Sequence, residues 1–403
     1  MGLDSPVRRI ALMMDFTDFY DHGVARGVIR FAKYQSWQLF GHGWRFGNVE
    51  DLSGWRGDGV IARVADPGHA SLIAELGIPV VDVAGAYTDR GFACVTNDDE
   101  RTGSIAGRHL IGRGLRHLAY CGVSDVQWSD DRRRGLALAA AKAGVETGDT
   151  HAFARPLHWW ETRRVDRSLV SFLRSLPRPA GVFAANDTVA LNVVRAARLS
   201  RMAVPADLAV LGVDNEDITC ELASPSLSSI ALQLEEIGHA AALRLDRILA
   251  GADPEPGVHL RLPPGRVIER ESTRVFATAD QVVRRALEVV HSSRDLSIRV
   301  EDIAQRISVS RRNLEIRFRT ETGRTVHSEL VRARMARACA LVRESNEKMA
   351  SIAMESGFGS AQRFFEVFRR LTGLTPGEYR HADAEQAERI CMKFHHPFEF
   401  RDF

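Results

Sequence analysis

The first 270 residues alternate short apolar runs with longer amphipathic stretches, and this alternation ends near residue 272. Runs that are largely apolar and have the length of a strand occur at 9–14, 59–62, 80–83, 117–120, 181–185 and 208–213. Helical patterns lie between several of them, at 103–112, 134–143 and 188–199, and a final strand within 263–272 leads into a polar connector. Strands that are apolar on both faces and separated by helices are typical of parallel sheets built from βαβ units. The pattern therefore predicts an α/β fold for this part of the chain.

The pattern after residue 280 is helical and indicates a second domain of a different class. Residues 280–292 place Val283, Ala286, Leu287 and Val290 on one face of a helix. A chain of 403 residues also exceeds the size that one hydrophobic core serves. We therefore predict an α/β domain with parallel sheets over 1–272, a linker over 273–279, an all-α domain over 280–381 and a C-terminal tail over 382–403.

Two similar units follow one another within residues 300–380, and each has a short helix, a tight turn and a basic helix. Ser310 and Ser360 stand where each basic helix would begin, and serine is a favoured N-cap. Between the units, residues 326–344 predict one long helix. Such a connector can hold two recognition helices about 34 Å apart, which is one turn of a DNA duplex.

The exposed side chains of these basic helices suit contact with DNA. Arginine can bind guanine, asparagine and glutamine can bind adenine, and further arginines can bind phosphates. Residues 280–380 hold 19 Lys and Arg against 13 Asp and Glu, so positive charge is concentrated there. A helical bundle with a solvated arginine surface is the alternative. The predicted DNA-binding residues are Ser310, Arg311, Arg312, Asn313, Arg317, Ser360, Gln362, Arg363, Arg369 and Arg370.

Two motifs in this segment resemble the DNA-binding domain of AraC-type regulators. They are Ile352-Ala-x-x-x-Gly357-Phe358 and Gly373-x-Thr-Pro376-x-x-Tyr379-Arg380. The resemblance implies sequence-specific binding to double-stranded operator DNA by two helix-turn-helix units in one monomer.

Polar and aromatic residues follow the predicted strands of the α/β domain, where such folds bind ligands. Carboxylates, an arginine and aromatic rings suit a sugar, since its hydroxyls need donors and acceptors and its apolar face stacks on a ring. Each residue also has a structural alternative: Asp187 as an N-cap, Asp214 and Asn215 as a turn, Trp128 as packing and Arg132 as surface charge. The predicted ligand-binding residues are Tyr20, Asp21, Asp98, Trp128, Arg132, Asp187, Asp214 and Asn215.

Residues 8–270 resemble the sugar-sensing domain of LacI/GalR-type repressors, which is similar to type I periplasmic binding proteins. The matching elements are Val95-x-x-Asp98, Trp128-x-x-x-Arg132-x-x-Gly135, Phe183-Ala-Ala-Asn-Asp187-x-x-Ala190 and Leu211-Gly-Val-Asp214-Asn215. The resemblance implies two lobes with a sugar site between them, contacted by Arg132 and Asp187. Asp99 departs from the family pattern, where asparagine is usual, and Leu232 stands where a polar residue is often found.

The combination of the two domains resembles the family of xylose-operon regulators to about residue 381. The residues that carry this resemblance are Arg9-Ile-Ala-Leu12, Tyr20-Asp21, Gly57-Asp-Gly-Val-Ile-Ala62 and Arg266-Val-Ile-Glu-Arg270. It implies a pentose effector such as D-xylose, a homodimer, activation of transcription and contact with RNA polymerase. Because the first strand begins by residue 8, we expect the C-terminal domain to replace the N-terminal DNA-binding headpiece of LacI-type proteins.

Other classes of function are disfavoured by the sequence. Cys94, Cys121, Cys220, Cys339 and Cys391 lie far apart without metal-ligand spacing, so we predict reduced thiols and no metal site. We expect no catalytic residues and no cofactor, because G-x-G-x-x-G, P-loop and G-x-S-x-G motifs are absent. No run approaches the roughly 20 apolar residues of a membrane helix, which favours a cytoplasmic protein. The alternatives are a regulator of the same architecture that responds to another sugar, a constitutive DNA-binding protein whose α/β domain only dimerises, and an enzyme acting on sugars or nucleotides.

Overall fold

The computed structural model describes residues 7–43, 55–64, 67–85, 91–145, 151–162, 166–252, 258–274, 278, 280–292, 296–383, 386–387, 390 and 394. Its first part is α/β. In chain order the elements are β1 (Arg8–Met14), α1 (Phe19–Ala32), β2 (Trp37–Gly43), β3 (Gly59–Ala62), α2 (Pro67–Glu75), β4 (Val80–Asp82), β5 (Ala93–Asn97), α3 (Asp99–Ile111), β6 (His117–Val123), α4 (Gln127–Lys142), β7 (Ala152–Arg155), α5 (Leu157–Glu161), α6 (Arg167–Ser175), β8 (Ala180–Ala184), α7 (Asp187–Leu199), β9 (Leu208–Asp214), α8 (Asp217–Leu222), β10 (Ser228–Ala231), α9 (Leu234–Leu249), β11 (His259–Leu262) and β12 (Val267–Ile268).

Two six-stranded sheets define two lobes, as predicted. The strand order is β11-β5-β4-β3-β1-β2 in the first lobe and β12-β10-β9-β8-β6-β7 in the second. All pairs are parallel except β10 with β12. The six predicted apolar strands are present, and β12 lies within the predicted final strand. The strands β2, β5, β7, β10 and β11 were not predicted, since their apolar runs are short or interrupted by polar residues.

The chain crosses between the lobes before α3, between β10 and α9, and between β11 and β12. Leu232 lies on the second crossing and packs against the buried cores of both lobes. An apolar side chain at this position therefore helps to hold the lobes together, which accounts for its departure from the polar residue of the LacI/GalR pattern.

Each lobe contains a pair of helices that cross at glycines. In the second lobe, a Cβ atom on Gly103 of α3 would lie 1.9 Å from the carbonyl oxygen of Arg132, and one on Gly135 of α4 would lie 1.9 Å from that of Glu100. Gly27 of α1 and Gly238 of α9 make the same close approach in the first lobe. Glycine is required at these crossings because any side chain would separate the two backbones.

The C-terminal part is helical, with α10 (Gln281–Ser292), α11 (Val300–Arg306), α12 (Arg311–Thr322), α13 (Val326–Glu344), α14 (Met349–Glu355), α15 (Ala361–Thr372) and α16 (Pro376–His381). The long helix α13 is confirmed over the predicted residues and contributes to two hydrophobic cores. Val326, Leu330 and Ala333 belong to the core of α10–α12, whereas residues from Met335 onward belong to the core of α14–α16. Ala387, Ile390 and Phe394 of the tail are buried in the second core.

Candidate ligand-binding cleft and nucleic-acid interface

The first lobe contributes a cluster of charged and aromatic residues at the start of α1. Asp18 caps the helix by accepting hydrogen bonds from the amides of Tyr20 and Asp21. Arg63, directly after β3, places Nη1 3.1 Å from Oδ1 of Asp18 and 3.5 Å from Oδ1 of Asp21. Its guanidinium lies 5.4 Å from the centre of the Tyr20 ring, and the Tyr20 hydroxyl donates to the carbonyl of Val83.

Asp21 is fully buried in this cluster. Its Oδ2 accepts from the amide of Asp15 at 2.6 Å, whereas Oδ1 accepts no hydrogen bond from the described residues. Burial raises the pKa of Asp21 to about 6, and the nearby charge of Arg63 opposes that rise. The carboxylate therefore has unused acceptor capacity beside Tyr20.

Arg132, on α4, is the central cation of the second lobe. Its side chain is 5% exposed, and Nε lies 2.8 Å from Oδ1 of Asp99 on α3. It also donates to the carbonyl of Ala185 at the end of β8 and lies 4.8 Å from the centre of the Trp128 ring. Arg132 is thus fixed by an ion pair, a backbone acceptor and an aromatic surface, and the surface-charge alternative is wrong for this residue.

Asp99 holds the position next to the predicted ligand residue Asp98. Asp98 is the N-cap of α3 and accepts from the amide of Arg101 at 2.9 Å. Asp99 pairs with Arg132, and burial raises the pKa of Asp99 while the arginine opposes this. The departure from asparagine at this position therefore supplies the counter-ion of Arg132.

Asp187 is buried and its carboxylate is occupied by protein donors. The carboxylate accepts from the Ser229 hydroxyl at 2.6 Å, from the Glu216 amide at 2.9 Å and from the Cys220 thiol at 3.3 Å. Asn186, not Asp187, is the N-cap of α7, so the N-cap alternative for Asp187 is wrong. These hydrogen bonds connect Asp187, at the start of α7, to β10 and to the loop after β9.

Asp214 and Asn215 form the turn after β9, and both have positive φ angles, 104° and 55°. The side-chain oxygen of Asn215 accepts from Nη1 of Arg270 at 2.9 Å, and the backbone amide of Asn215 donates to the hydroxyl of Ser229. Burial raises the pKa of Asp214 well above its usual range, and the charge of Arg132 opposes the rise. The carboxyl group of Asp214 therefore lies within electrostatic reach of Arg132, at a turn with an uncommon backbone conformation.

Charges from the two lobes act on one another across the cleft. Asp18 and Arg63 of the first lobe lie close enough to affect the pKa of Asp214 in the second. Asp99, on α3, likewise contributes to the raised pKa of Tyr20, for which burial is the larger cause. The structure therefore brings Tyr20, Asp21, Arg132 and Asp214 into one region.

Arg63 belongs to this region but was not among the predicted residues, and neither was Asn186, which caps α7. Arg63 directly follows the end of β3, which is the positional signal that selected the other residues. Asn186 lies inside the motif used to select Asp187. Both signals were present in the sequence. At Asn186 the neighbouring Asp187 was preferred, whereas no residue after β3 was selected.

The first helix-turn-helix unit consists of α11 and α12. Ser310 caps α12 by accepting from the amide of Asn313 at 3.2 Å. Arg312 and Asn313 are exposed on the first turn of the helix. Arg311 pairs with Glu301 and, at 2.8 Å, with Glu315, and Arg317 is half-buried with Nε 2.6 Å from Asp280.

The second unit consists of α14 and α15. Ser360 caps α15 by accepting from the amide of Arg363 at 3.3 Å, and Gln362, Arg363, Arg369 and Arg370 are exposed. Gly357 in the turn has a φ of 80°, and a Cβ atom there would lie 2.5 Å from the carbonyl oxygen of Leu296. Both the turn and its contact with the segment before α11 therefore require glycine.

Three family models match successive parts of the chain. Residues 9–94 match a XylR N-terminal domain, 108–273 a periplasmic binding protein-like domain, and 303–382 a helix-turn-helix domain. With the two lobes and the two helix-turn-helix units, these matches show that the chain joins a periplasmic-binding-protein-like domain to a helix-turn-helix domain.

Similar proteins with the same architecture are known. The chain is 28% identical to the xylose operon regulatory protein of Escherichia coli (strain K12), over 94% of this chain and 98% of that protein. It is also 28% identical to the protein of that name from Haemophilus influenzae, over 92% and 98%. A solved structure described as the xylose-binding transcription activator xylR has a TM-score of 0.57 at 27% identity, covering 93% of this chain and 98% of that one.

Other features of the described residues bear on the class of protein. Cys94, Cys121, Cys220 and Cys339 are buried and form no disulfide, and Cys391 lies outside the described residues. That same part of the chain contains no group of three or more His, Cys, Asp or Glu that could hold a metal ion. Within it, every helix is too short or too polar to cross a membrane.

Proposed function

We propose that this protein is a transcription regulator that binds operator DNA in response to a pentose, with D-xylose as the effector. The observation that carries the proposal is the joining, in one chain, of a charged cleft between two lobes to two helix-turn-helix units. The names of the similar proteins from E. coli and H. influenzae support xylose as the sugar. In this role the chain is a regulator and not an enzyme, and its DNA target places it in the cytoplasm.

The cleft offers a sugar both donors and acceptors. Arg132 supplies fixed N–H donors, while Asp21 and Asp214 supply carboxylate oxygens from opposite lobes. Because hydroxyls bind both kinds of group, a sugar between the lobes can connect them. We assign sugar binding to Tyr20, Asp21, Asp98, Trp128, Arg132, Asp187, Asp214 and Asn215, and we expect Asp98, Asp187 and Asn215 to act mainly by positioning the others.

The two basic helices supply the DNA contacts. We assign Arg312, Asn313, Gln362 and Arg363 to the bases, because they are exposed at helix N-termini. Ser310, Arg311, Arg317, Ser360, Arg369 and Arg370 then contact phosphates or position the helices. A homodimer would present four recognition helices, so its operator should consist of two long half-sites, with RNA polymerase as a further partner in activation.

The effector must favour one arrangement of the DNA-binding domain to regulate it. The two domains lie beside each other in this chain: Arg113, just after the end of α3, and Arg332 on α13 line one cavity. The linker residue Thr278 also donates to Glu321 at 2.7 Å. A change in the arrangement of the lobes on sugar binding can therefore be transmitted to α13, the helix that connects the two helix-turn-helix units.

Calorimetry with a panel of pentoses and hexoses, followed by DNA footprinting with and without D-xylose, tests the proposal. We expect D-xylose to bind most tightly and to change the footprint or the DNA affinity. If another sugar binds more tightly than D-xylose, that sugar is the effector, and the proposed role as a sugar-responsive regulator still holds. Sugar binding that leaves both DNA measurements unchanged would overturn the allosteric role, and the absence of specific DNA binding would overturn the proposal as a whole.

A further inference from the structure

A cavity of about 450 Å³ lies at the junction of the two domains, away from the sugar cleft. The α/β domain contributes Arg113, just after the end of α3, together with β12 and the residues beside it. The C-terminal part contributes residues of α10 and α13, with Leu296 and Phe394. The residues of interest are Arg113, Arg266, Glu269, His291, Arg332 and Arg337.

Positive charge predominates in this cavity, because four arginines and one glutamate line it. Arg113 and Arg332 are 8% and 3% exposed, so their charges are poorly screened by water. They lie near enough for the charge of Arg332 to help lower the pKa of Arg113, for which burial is the main cause. Two buried like charges near each other repel, and a further anion bound in the cavity would reduce that repulsion.

The neighbouring acidic groups are engaged with the arginines on either side. Arg113 donates to Glu269 and to the carbonyl of Thr273 at 2.9 Å. Arg332 pairs at 2.5 Å with Glu329, which also lies 3.1 Å from Arg324 and 2.8 Å from His291. The single charge of Glu329 is therefore close to Arg324, Arg332 and His291 at once. Arg337 pairs with Glu355 at 3.2 Å. These contacts fix the orientation of the arginines around the cavity.

The chemistry and size of the cavity suit a phosphate group. Guanidinium groups bind phosphate oxygens in a bidentate manner, and several together can neutralise a dianion. The volume falls within the roughly 300–1,000 Å³ typical of small-molecule sites. Val290, Leu296 and Ala336 provide apolar surface beside the arginines, which an organic group attached to the phosphate could contact.

We propose that this junction cavity binds the phosphate group of a small effector, either inorganic phosphate or a phosphomonoester such as a sugar phosphate. Because both domains line the cavity, the bound anion stabilises their docked arrangement. A ligand that binds only this arrangement changes DNA affinity through it. The site is separate from the pentose cleft and does not depend on the identity of the sugar.

The test is calorimetry on the full chain with inorganic phosphate, ribose 5-phosphate, ribose and sodium sulfate, each with saturating D-xylose present. We expect ribose 5-phosphate or phosphate to bind and ribose not to bind. Tighter binding of ribose 5-phosphate identifies a phosphomonoester effector, and equal or tighter binding of inorganic phosphate identifies the free anion. Binding of ribose as tight as that of its phosphate, or of sulfate as tight as that of both phosphates, would overturn the proposal.

Arg266→Gln and Arg337→Gln test the site with little risk to folding, because neither arginine is buried. Each should weaken phosphate binding at least tenfold. Arg247→Gln, an exposed arginine on α9 of the other lobe, is the matched control and should leave it unchanged. No measurable binding of either phosphate to the wild-type protein, or equal binding to all three variants and the wild type, would contradict the proposed site.

Discussion

Arg132 on α4 and Asp99 on α3 form a buried ion pair in which Nε and Oδ1 are 2.8 Å apart. The two helices can approach closely enough for this pair because Gly103 and Gly135 face the opposing backbones where they cross. The pair holds the guanidinium beside Asp214, whose pKa it affects. The proposed sugar contacts of the second lobe therefore depend on a glycine crossing of α3 and α4.

Replacing Arg132 with alanine should abolish xylose binding. The change removes the N–H donors and leaves Asp99 buried without its partner, which we expect to cost about 3 kcal/mol of stability. Isothermal titration calorimetry measures the affinity, and thermal unfolding measures the stability. Arg133→Ala changes the exposed neighbour and serves as the control. Normal xylose affinity in Arg132→Ala would show that Arg132 does not bind the sugar.

Asp21 should make the unfolding free energy of the first lobe depend on pH. Its pKa is raised to about 6 in the folded protein, so the folded state retains a proton that the unfolded chain loses from about pH 4 upward. The stability associated with this group therefore falls as the pH rises from about 4 to 6, by about 3 kcal/mol. The variant Asp21→Asn has no carboxyl group to titrate at this position, so its free energy of unfolding should not show that decrease with pH.

Urea unfolding of the sugar-free protein at several pH values measures this effect. The stability of Asp21→Asn relative to wild type should increase between pH 4 and pH 7. Asp130→Asn, at an exposed aspartate, should show no such trend. A constant difference between Asp21→Asn and wild type across this range would show that Asp21 is not protonated in the folded state.

Substituting Gly135 with alanine should destabilise the second lobe strongly. The added Cβ would lie 1.9 Å from the Glu100 carbonyl, so α3 and α4 must separate. Overpacking of this kind costs about 1–3 kcal/mol, and more where backbone must move. Gly377→Ala is the matched control, because the Cβ there meets no atom within 4 Å. Equal melting temperatures for the two variants would contradict the role assigned to the crossing.

Arg312→Ala and Arg317→Ala should differ in their effects on DNA binding. Arg312 is exposed on the first turn of α12 and should contribute about 1–3 kcal/mol to operator affinity if it contacts a base. Arg317 is held 2.6 Å from Asp280, and its loss should mainly weaken the packing of α12 on α10. Electrophoretic mobility shifts on operator and non-operator duplexes separate the two effects. A larger loss of operator specificity in Arg317→Ala than in Arg312→Ala would reverse the assignment.

Glu329→Gln should destabilise the DNA-binding domain by about 3–5 kcal/mol, since it leaves the buried Arg324 and Arg332 without their carboxylate. The pKa of Glu329 is depressed in the folded protein. The stability it provides is therefore present above its unfolded pKa and is lost as the pH falls below it. Urea unfolding followed by circular dichroism at pH 7 and pH 4 measures both effects. Glu301→Gln, at an exposed ion pair, should change the stability little.

Features of the sequence that act over a few residues predicted much of the fold. The six apolar strands, the helix α13 and the serine caps of α12 and α15 all occur where the sequence placed them. Strands such as β5 and β10 were not predicted, because their sequences, Ala-Cys-Val-Thr-Asn and Ser-Ser-Ile-Ala, are short and partly polar. Their polar side chains are buried by neighbouring elements that the local pattern does not reveal.

The sequence by itself determined the two classes of domain, their order and the positions of the recognition helices. Hydrophobic periodicity and helix capping depend on residues three or four positions apart, so the sequence expresses them directly. Only the tertiary structure decided that Asp187 binds the Glu216 amide and Ser229, which are 29 and 42 residues away. It also decided that Asp99 pairs with Arg132 and that Arg113 lies near Arg332 across the domain junction. Such contacts depend on how helices and sheets pack, because packing alone brings distant side chains within hydrogen-bonding distance.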